Sequence, residues 1–372
     1  MRLTDDQWGM LSGVRRLASG VDAWFERIDP GVHRRIKGLR LVTAFGLAAM
    51  LGTMPEIAGH GLRLITLASG FALWASVSEA RPTRFESTRD LVLLNVAAGF
   101  GAASVALSVF WLGPAWSETA LVSGSFCVGY LRRFGVLGAG IGSQIFIGQL
   151  LAYSAGVSAA DLGMIGLAVI LATLAAVVPR VLSGPAERPA AVIALDSSEE
   201  DRSKSGLGSP EIAMGLQAAM ASSAIIALGW IVGLTESAWA ITACTYVVAS
   251  SRAGTIDRIW RRIAGTLVGV PLGIACLPLV TQFPLLIWGA AAVAMIIYAM
   301  SLPERYEIAC GAYAFALVVT MAESGDYPVA VLAARIWETI VGGALGVVVV
   351  LLLDPLLRWF SKSRRSVSAT KP

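Results

Sequence analysis

Apolar residues occur in long runs separated by short polar stretches along most of the chain. Many runs reach the roughly 17 to 25 residues that a helix needs to cross a bilayer, and none alternates as a barrel strand does. Because backbone groups in hydrocarbon must be hydrogen-bonded within the segment, the runs predict spanning helices and an all-α fold. We predict twelve, at 38–57, 62–79, 89–112, 116–131, 134–154, 160–182, 210–232, 236–251, 257–280, 283–301, 305–321 and 328–353.

The same pattern divides the chain into five parts. These are an N-terminal segment at 1–37, a six-helix repeat at 38–183, a polar linker at 184–209, a second six-helix repeat at 210–354 and a basic tail at 355–372. The N-terminal segment has apolar residues at helical spacing among arginines, which predicts an amphipathic helix. It would lie either on the inner leaflet or against the protein's own cytoplasmic face.

The two halves show features in the same order. At an offset of 171 residues, Arg81 aligns with Arg252 and Gly140 with Gly311. Because each half has an even number of helices, this order predicts a parallel repeat about an axis along the membrane normal.

Charge refines this prediction by orienting the helices. Only 15% of the residues are charged, against 56% hydrophobic, whereas soluble proteins average about 25% charged. Nearly all Lys and Arg residues fall on one side of the predicted helices, which is the cytoplasmic side by the positive-inside rule. Both termini are then cytoplasmic. The net charge of +4 is modest, so we expect no nucleic-acid partner.

Motifs for enzyme chemistry are missing from the sequence. The cysteines, Cys127, Cys244, Cys276 and Cys310, stand singly in apolar helices and are expected to be buried thiols without disulfides. We find no phosphate-binding loop, dinucleotide fingerprint or zinc motif. The sequence therefore predicts no enzyme activity, no cofactor and no metal.

Arg335 and Glu338 are the strongest candidates for chemistry. They are three residues apart on the last predicted spanning helix and so share one face. Each charge near the bilayer centre costs about 2.5 to 3.5 kcal/mol on insertion scales, so both side chains should face the protein interior. Arg335 would hold an anionic substrate and Glu338 would exchange a coupling proton. Alternatively, the two pair with each other or pin neighbouring helices.

Further candidates surround this pair. Trp239 and Trp337 could stack on an aromatic substrate. Tyr313 and Gln144 could reach a cavity with polar groups, although helix packing is the favoured interpretation for both, for Tyr313 with an interhelical hydrogen bond. Tryptophans at predicted helix ends fit interfacial belts: Trp74, Trp111, Trp116 and Trp230. A basic cytoplasmic rim either recruits anions or only orients the protein: Arg258, Arg261 and Arg262.

Three stretches carry a family resemblance. They are Trp239-Ala-Ile-Thr-Ala, the arginine cluster followed by Gly265-Thr-Leu-Val-Gly269, and Arg335-Ile-Trp-Glu-Thr-Ile-Val-Gly342. Together they resemble the fusaric-acid-resistance-like family, which is similar to the aromatic acid exporters and, more distantly, to the plant aluminium-activated malate channels. Members typically carry a large soluble region between two sets of six helices, where this chain has a short linker.

The resemblance implies a bacterial inner-membrane transporter that exports organic, in particular aromatic, carboxylates, driven by the membrane potential or by proton antiport. A passive anion channel and a non-transporting envelope scaffold are the alternatives. The resemblance also implies a periplasmic membrane-fusion protein as partner and a homodimer, for which the stripe Gly265, Gly269 and Gly273 is a candidate contact.

Overall fold

The computed structural model describes most of both predicted repeats. The described residues are 33–54, 61–81, 83–113, 116–183, 210–233, 237–248, 252–280, 282–302, 304–323 and 329–368, with side chains of the last helix described as far as Leu353. The predicted N-terminal segment at 1–37 lies outside the described residues as far as residue 32, and the predicted linker at 184–209 lies outside them entirely.

The described part of the chain is helical throughout. Its longer helices are α1 (His33–Gly52), α2 (Gly61–Ser78), α3 (Arg84–Leu112), α4 (Thr119–Tyr130), α5 (Gly135–Ser154), α6 (Leu162–Leu182), α7 (Pro210–Val232), α8 (Ser237–Val247), α9 (Arg252–Ala275), α10 (Pro284–Ser301), α11 (Tyr306–Glu323) and α12 (Val329–Ser368). Single turns at Leu131–Phe134, Ala159–Asp161 and Leu277–Val280 connect some of them.

Each predicted helix overlaps one of these, and the all-helical membrane fold is confirmed. Eight segments in the described residues are long and apolar enough to cross a bilayer, with α4 and α5 counted as one continuous segment. The number of twelve spanning helices stays a prediction, because α1 carries charges at its start and α8 has only 11 residues.

Three helices begin about five residues before their predicted starts. Helix α1 starts at His33, where Lys37 donates to the backbone O of Glu79, 2.7 Å away. Helix α3 starts at Arg84, because the Thr83 side chain accepts from the backbone N of Glu86 and caps the first turn. Helix α9 starts at Arg252, so the arginine cluster lies inside it. The predicted starts follow the charged residues, whereas in the structure paired or capped charges continue the helix.

Helix packing follows the same order in the two halves. The pairs α1–α2, α1–α6, α2–α6, α3–α5, α3–α6 and α4–α5 recur as α7–α8, α7–α12, α8–α12, α9–α11, α9–α12 and α10–α11. Two matching contacts join the halves, α4 with α7 and α10 with α1. This is the packing that a two-fold repeat requires.

Glycines permit the closest of these helix contacts. A Cβ on Gly269 would overlap the backbone O of Gly311, and a Cβ on Gly101 would overlap that of Ile145. The stripe Gly265, Gly269 and Gly273 therefore packs α9 against α11 within one chain. This corrects its assignment as a dimer contact, because α11 already occupies that face.

Charged side chains tie the helix ends on the predicted cytoplasmic side. The buried Arg180 donates to the Ser87 hydroxyl at 2.6 Å and to the backbone O of Arg81 at 3.2 Å. Arg34 of α1 pairs with Glu304, which precedes α11, and so connects the two halves. The hydrogen bond from Arg34 lowers the pKa of Glu304.

Candidate functional site

Arg335 lies inside the second half, where α8, α11 and α12 meet. Its side chain is only 6% exposed. The guanidinium carbon lies 4.2 Å from the centre of the Trp239 ring and 5.4 Å from that of Tyr313. Aromatic faces stabilise a cation by about 0.5 to 2 kcal/mol, which offsets part of the cost of burial. Nη1 of Arg335 has no hydrogen-bond partner in the described part of the chain, so the group retains a donor for an anion.

An aromatic cluster continues from Arg335 toward the first half. The rings of Tyr313 and Trp74 are 5.3 Å apart at 70°, and Tyr298 lies 5.9 Å from Trp74 and 6.1 Å from Tyr313. We call Trp74, Tyr298 and Tyr313 the ring triad. It joins α2 of the first half to α10 and α11 of the second, so the site lies where the halves meet.

The aromatic-belt interpretation is therefore wrong for Trp74, whose ring packs against the interior tyrosines. Trp111, Trp116 and Trp230 are exposed, as belt residues are. Sequence reasoning missed Trp74 and Tyr298 because no local motif marks which helices pack together. The helical spacing of Trp74 with the buried Phe71 and Ala75 was the available signal.

Glu338 occupies the next turn of the same helix face. It is 1% exposed, and its charge acts on Arg335. At about 1.5 Å of rise per residue, its position nine residues after the start of α12 places it well inside the helix. A carboxylate at this depth stabilises the neighbouring Arg335 charge.

Two predicted site residues lie elsewhere. Trp337 is 61% exposed on the outer surface of the bundle, because a step of two residues turns it about 200° from Arg335. Gln144 is buried on α5, where its Nε2 donates to the Ser78 hydroxyl at 3.1 Å. Gln144 therefore makes a hydrogen bond between α5 and α2, which agrees with the interpretation of this residue as a packing group and not as a substrate ligand.

The predicted basic rim divides into different environments. Arg261 pairs with Asp257 at 2.9 Å and with Glu307 at 3.5 Å, so its charge is balanced. Arg258 is half-buried. Arg262 turns toward α11, where its Nη1 donates to the Tyr306 hydroxyl at 3.4 Å.

A groove of about 910 Å³ separates α9, α10 and α11. Its lining is apolar apart from Glu307 and includes exposed residues such as Val268, Leu285 and Val293. An open apolar groove on a membrane protein suits lipid chains better than an anion. Among the described residues, no three His, Cys, Asp or Glu side chains come together as a metal site.

Residues 223–349 match the family model described as fusaric acid resistance protein-like. The match covers the arginine cluster, Trp239, Arg335 and Glu338, and it confirms the predicted family for this part of the chain. No curated protein and no solved structure matches the chain, so the similarity to malate channels is not confirmed. The protein is thus a multi-pass membrane protein whose residues 223–349 are similar to the fusaric acid resistance protein-like family.

Proposed function

We propose that this protein exports organic carboxylate anions, preferably aromatic ones, across the bacterial inner membrane. The observation that carries the proposal is the buried Arg335, packed on Trp239 with Nη1 unpartnered among the described groups. A carboxylate beside Arg335 would supply the missing charge-assisted hydrogen bond.

The aromatic preference follows from the rings beside the arginine. Trp239 and the ring triad offer apolar faces and edges on which a flat substrate ring stacks, and such pairs contribute about 0.5 to 1.5 kcal/mol beyond burial. An aliphatic carboxylate would keep the ionic contact and lose this contribution. The proposed discrimination is therefore about tenfold or less for each ring.

Export is the energetically favoured direction for an anion. An interior-negative potential drives it outward by about 2.3 kcal/mol per charge per 100 mV. In our proposal Glu338 exchanges a proton as the site changes its access, which adds the proton gradient to this driving force. The family resemblance further supports a periplasmic membrane-fusion protein as partner.

Efflux of labelled benzoate from proteoliposomes tests the site. Arg335→Gln should lower the efflux rate about tenfold or more, since hydrogen bonds to charged groups contribute about 1.5 to 3 kcal/mol. Arg63→Gln is the matched control, because Arg63 is exposed and far along the chain from the site. Normal efflux by correctly inserted Arg335→Gln protein would contradict the assignment.

The coupling mechanism is tested in the same vesicles. A carrier coupled to protons should lose accumulation when an uncoupler is added, and Glu338→Gln should abolish the dependence on the pH gradient. Large unitary currents in planar bilayers would instead identify a passive anion channel. No efflux by either the wild-type protein or Glu338→Gln, together with a stoichiometric partner in purified protein, would indicate an envelope scaffold.

A further inference from the structure

Arg262 differs from the other arginines of its cluster. It lies on α9 but turns toward α11, and its Nη1 donates to the Tyr306 hydroxyl. Its Nε is buried and has no hydrogen-bond partner among the described residues. Arg261, one residue before it, is balanced by two carboxylates. Arg262 thus carries a charge and a donor that the surrounding described groups leave unmet.

Arg262 and Arg335 also act on each other, because their like charges repel across the interior of the second half. Like charges repel strongly in a partly dry interior, and the Glu338 carboxylate offsets this repulsion at Arg335. The ring centre of Tyr313, on α11, lies 5.4 Å from the Arg335 guanidinium carbon, and Tyr313 also acts electrostatically on Arg262. Arg262, Tyr313 and Arg335 are therefore polar neighbours inside the second half.

We propose that Arg262 and Tyr306 form a second carboxylate-binding site, which receives the organic anion before it reaches Arg335. This inference rests on the proposed function. Arg262 and Tyr306 lie nearer the predicted cytoplasmic ends of α9 and α11, whereas Arg335 lies six residues from the opposite end of α12. An exported anion would pass from Arg262 along Tyr313 to Arg335, and each site lowers the desolvation cost of that path.

The modification rate of the Cys310 thiol measures the electrostatic environment of this site. It lies one turn after Tyr306 on the same face of α11, and its thiol interacts with Tyr306 and with the charge of Arg262. It is half-buried, so a small reagent that enters the site can reach it.

The experiment uses full-length protein in which Cys127, Cys244 and Cys276 are replaced by alanine. Cys310 is then modified with sulfonatoethyl methanethiosulfonate, an anion, and with trimethylammonioethyl methanethiosulfonate, a cation. In both reactions the thiolate forms a mixed disulfide and methanesulfinate leaves. Arg262→Gln should lower the ratio of anionic to cationic rates about tenfold, as loss of a nearby charge requires. Benzoate should slow modification in the parent protein only.

Arg305→Gln is the matched control, because Arg305 is exposed just before Tyr306. It should leave the rate ratio unchanged. An unchanged ratio in Arg262→Gln, or no protection by benzoate, would overturn the second site. Arg335→Gln separates the two proposals. Lost efflux, with a ratio of anionic to cationic modification rates that still depends on Arg262, supports both proposals. Normal efflux in this variant rejects the proposed function alone.

A second measurement needs no cysteine replacement. Equilibrium dialysis with labelled benzoate should give two bound molecules per wild-type chain and one in Arg262→Gln. One molecule per wild-type chain, with no change in Arg262→Gln, would contradict the proposal.

Discussion

Arg335 and Trp337 are two residues apart on α12, yet their surroundings are opposite. The arginine is buried against Trp239, while Trp337 is exposed on the outside of the bundle. The periodicity of the helix alone requires this separation. A charged residue in an apolar run predicts the interior face reliably, since lipid exposure is costly, but a tryptophan does not, because lipid accepts it.

Trp239 and Trp337 therefore provide a matched pair of substitutions. Trp239→Leu should raise the half-saturating benzoate concentration about three- to tenfold, because the loss of a cation–π contact and a stacking face costs about 1 kcal/mol. Trp337→Leu should leave it unchanged. Efflux kinetics in proteoliposomes measure both. Equal effects of the two substitutions would mean that Trp239 acts through membrane contact rather than through Arg335.

The sequence pointed to Arg335 and Glu338 as intramembrane charges and to Trp239 through a stretch of the family resemblance. Tyr313 was a candidate only as a polar aromatic group within a predicted spanning helix. The sequence could not predict that Trp74 joins them. Trp74 is distant in the chain, and its partners Tyr298 and Tyr313 belong to other helices. Only the packing of α2 on the second half brings these rings together.

At the scale of elements, glycines decide which helices approach closely. Gly269 of α9 meets Gly311 of α11, and Gly342 of α12 meets the backbone of Ala240 on α8. These contacts set the distances between the helices that carry Arg262, Tyr313, Arg335 and Trp239. The glycine stripe of α9 was a candidate dimer contact, because glycine spacing indicates a close helix contact but does not identify the neighbouring helix.

The same substitution at two glycines tests this role. Gly269→Ala should destabilise the protein by about 1 to 3 kcal/mol, because its Cβ would overlap the Gly311 carbonyl. Gly289→Ala on α10 has open space around the new Cβ and should be neutral or slightly stabilising. Thermal unfolding in detergent, followed by intrinsic fluorescence, compares the two. A lower midpoint in Gly289→Ala than in Gly269→Ala would contradict the packing.

At the scale of the whole molecule, matched packing coexists with an asymmetric site. The positions at an offset of 171 from Arg335 and Glu338 are Met164 and Leu167, which are apolar. The family match is also confined to the second half. The first half contributes the contacts of α1 with α10 and of α4 with α7, together with Trp74. The first half thus packs around a site whose charged groups, Arg335 and Glu338, belong to the second half.

Membrane orientation determines which of the two proposed sites faces the cytoplasm. In the orientation that the positive-inside rule predicts, Arg305 faces the cytoplasm. Arg63 lies at the opposite end of the predicted helices and so faces the periplasm. Both are exposed, so each can be replaced by cysteine in a background without the native cysteines. An impermeant maleimide added to spheroplasts should label Arg63→Cys, and should label Arg305→Cys only after permeabilisation.

Labelling of both variants after permeabilisation is the control for access. The reverse pattern in spheroplasts would place Arg262 and Tyr306 at the periplasmic end of the path. An exported anion would then meet Arg335 before Arg262, which would contradict the proposed order of the two sites. The labelling experiment therefore tests the order of the sites separately from the binding chemistry, which depends only on the charges and rings inside the second half.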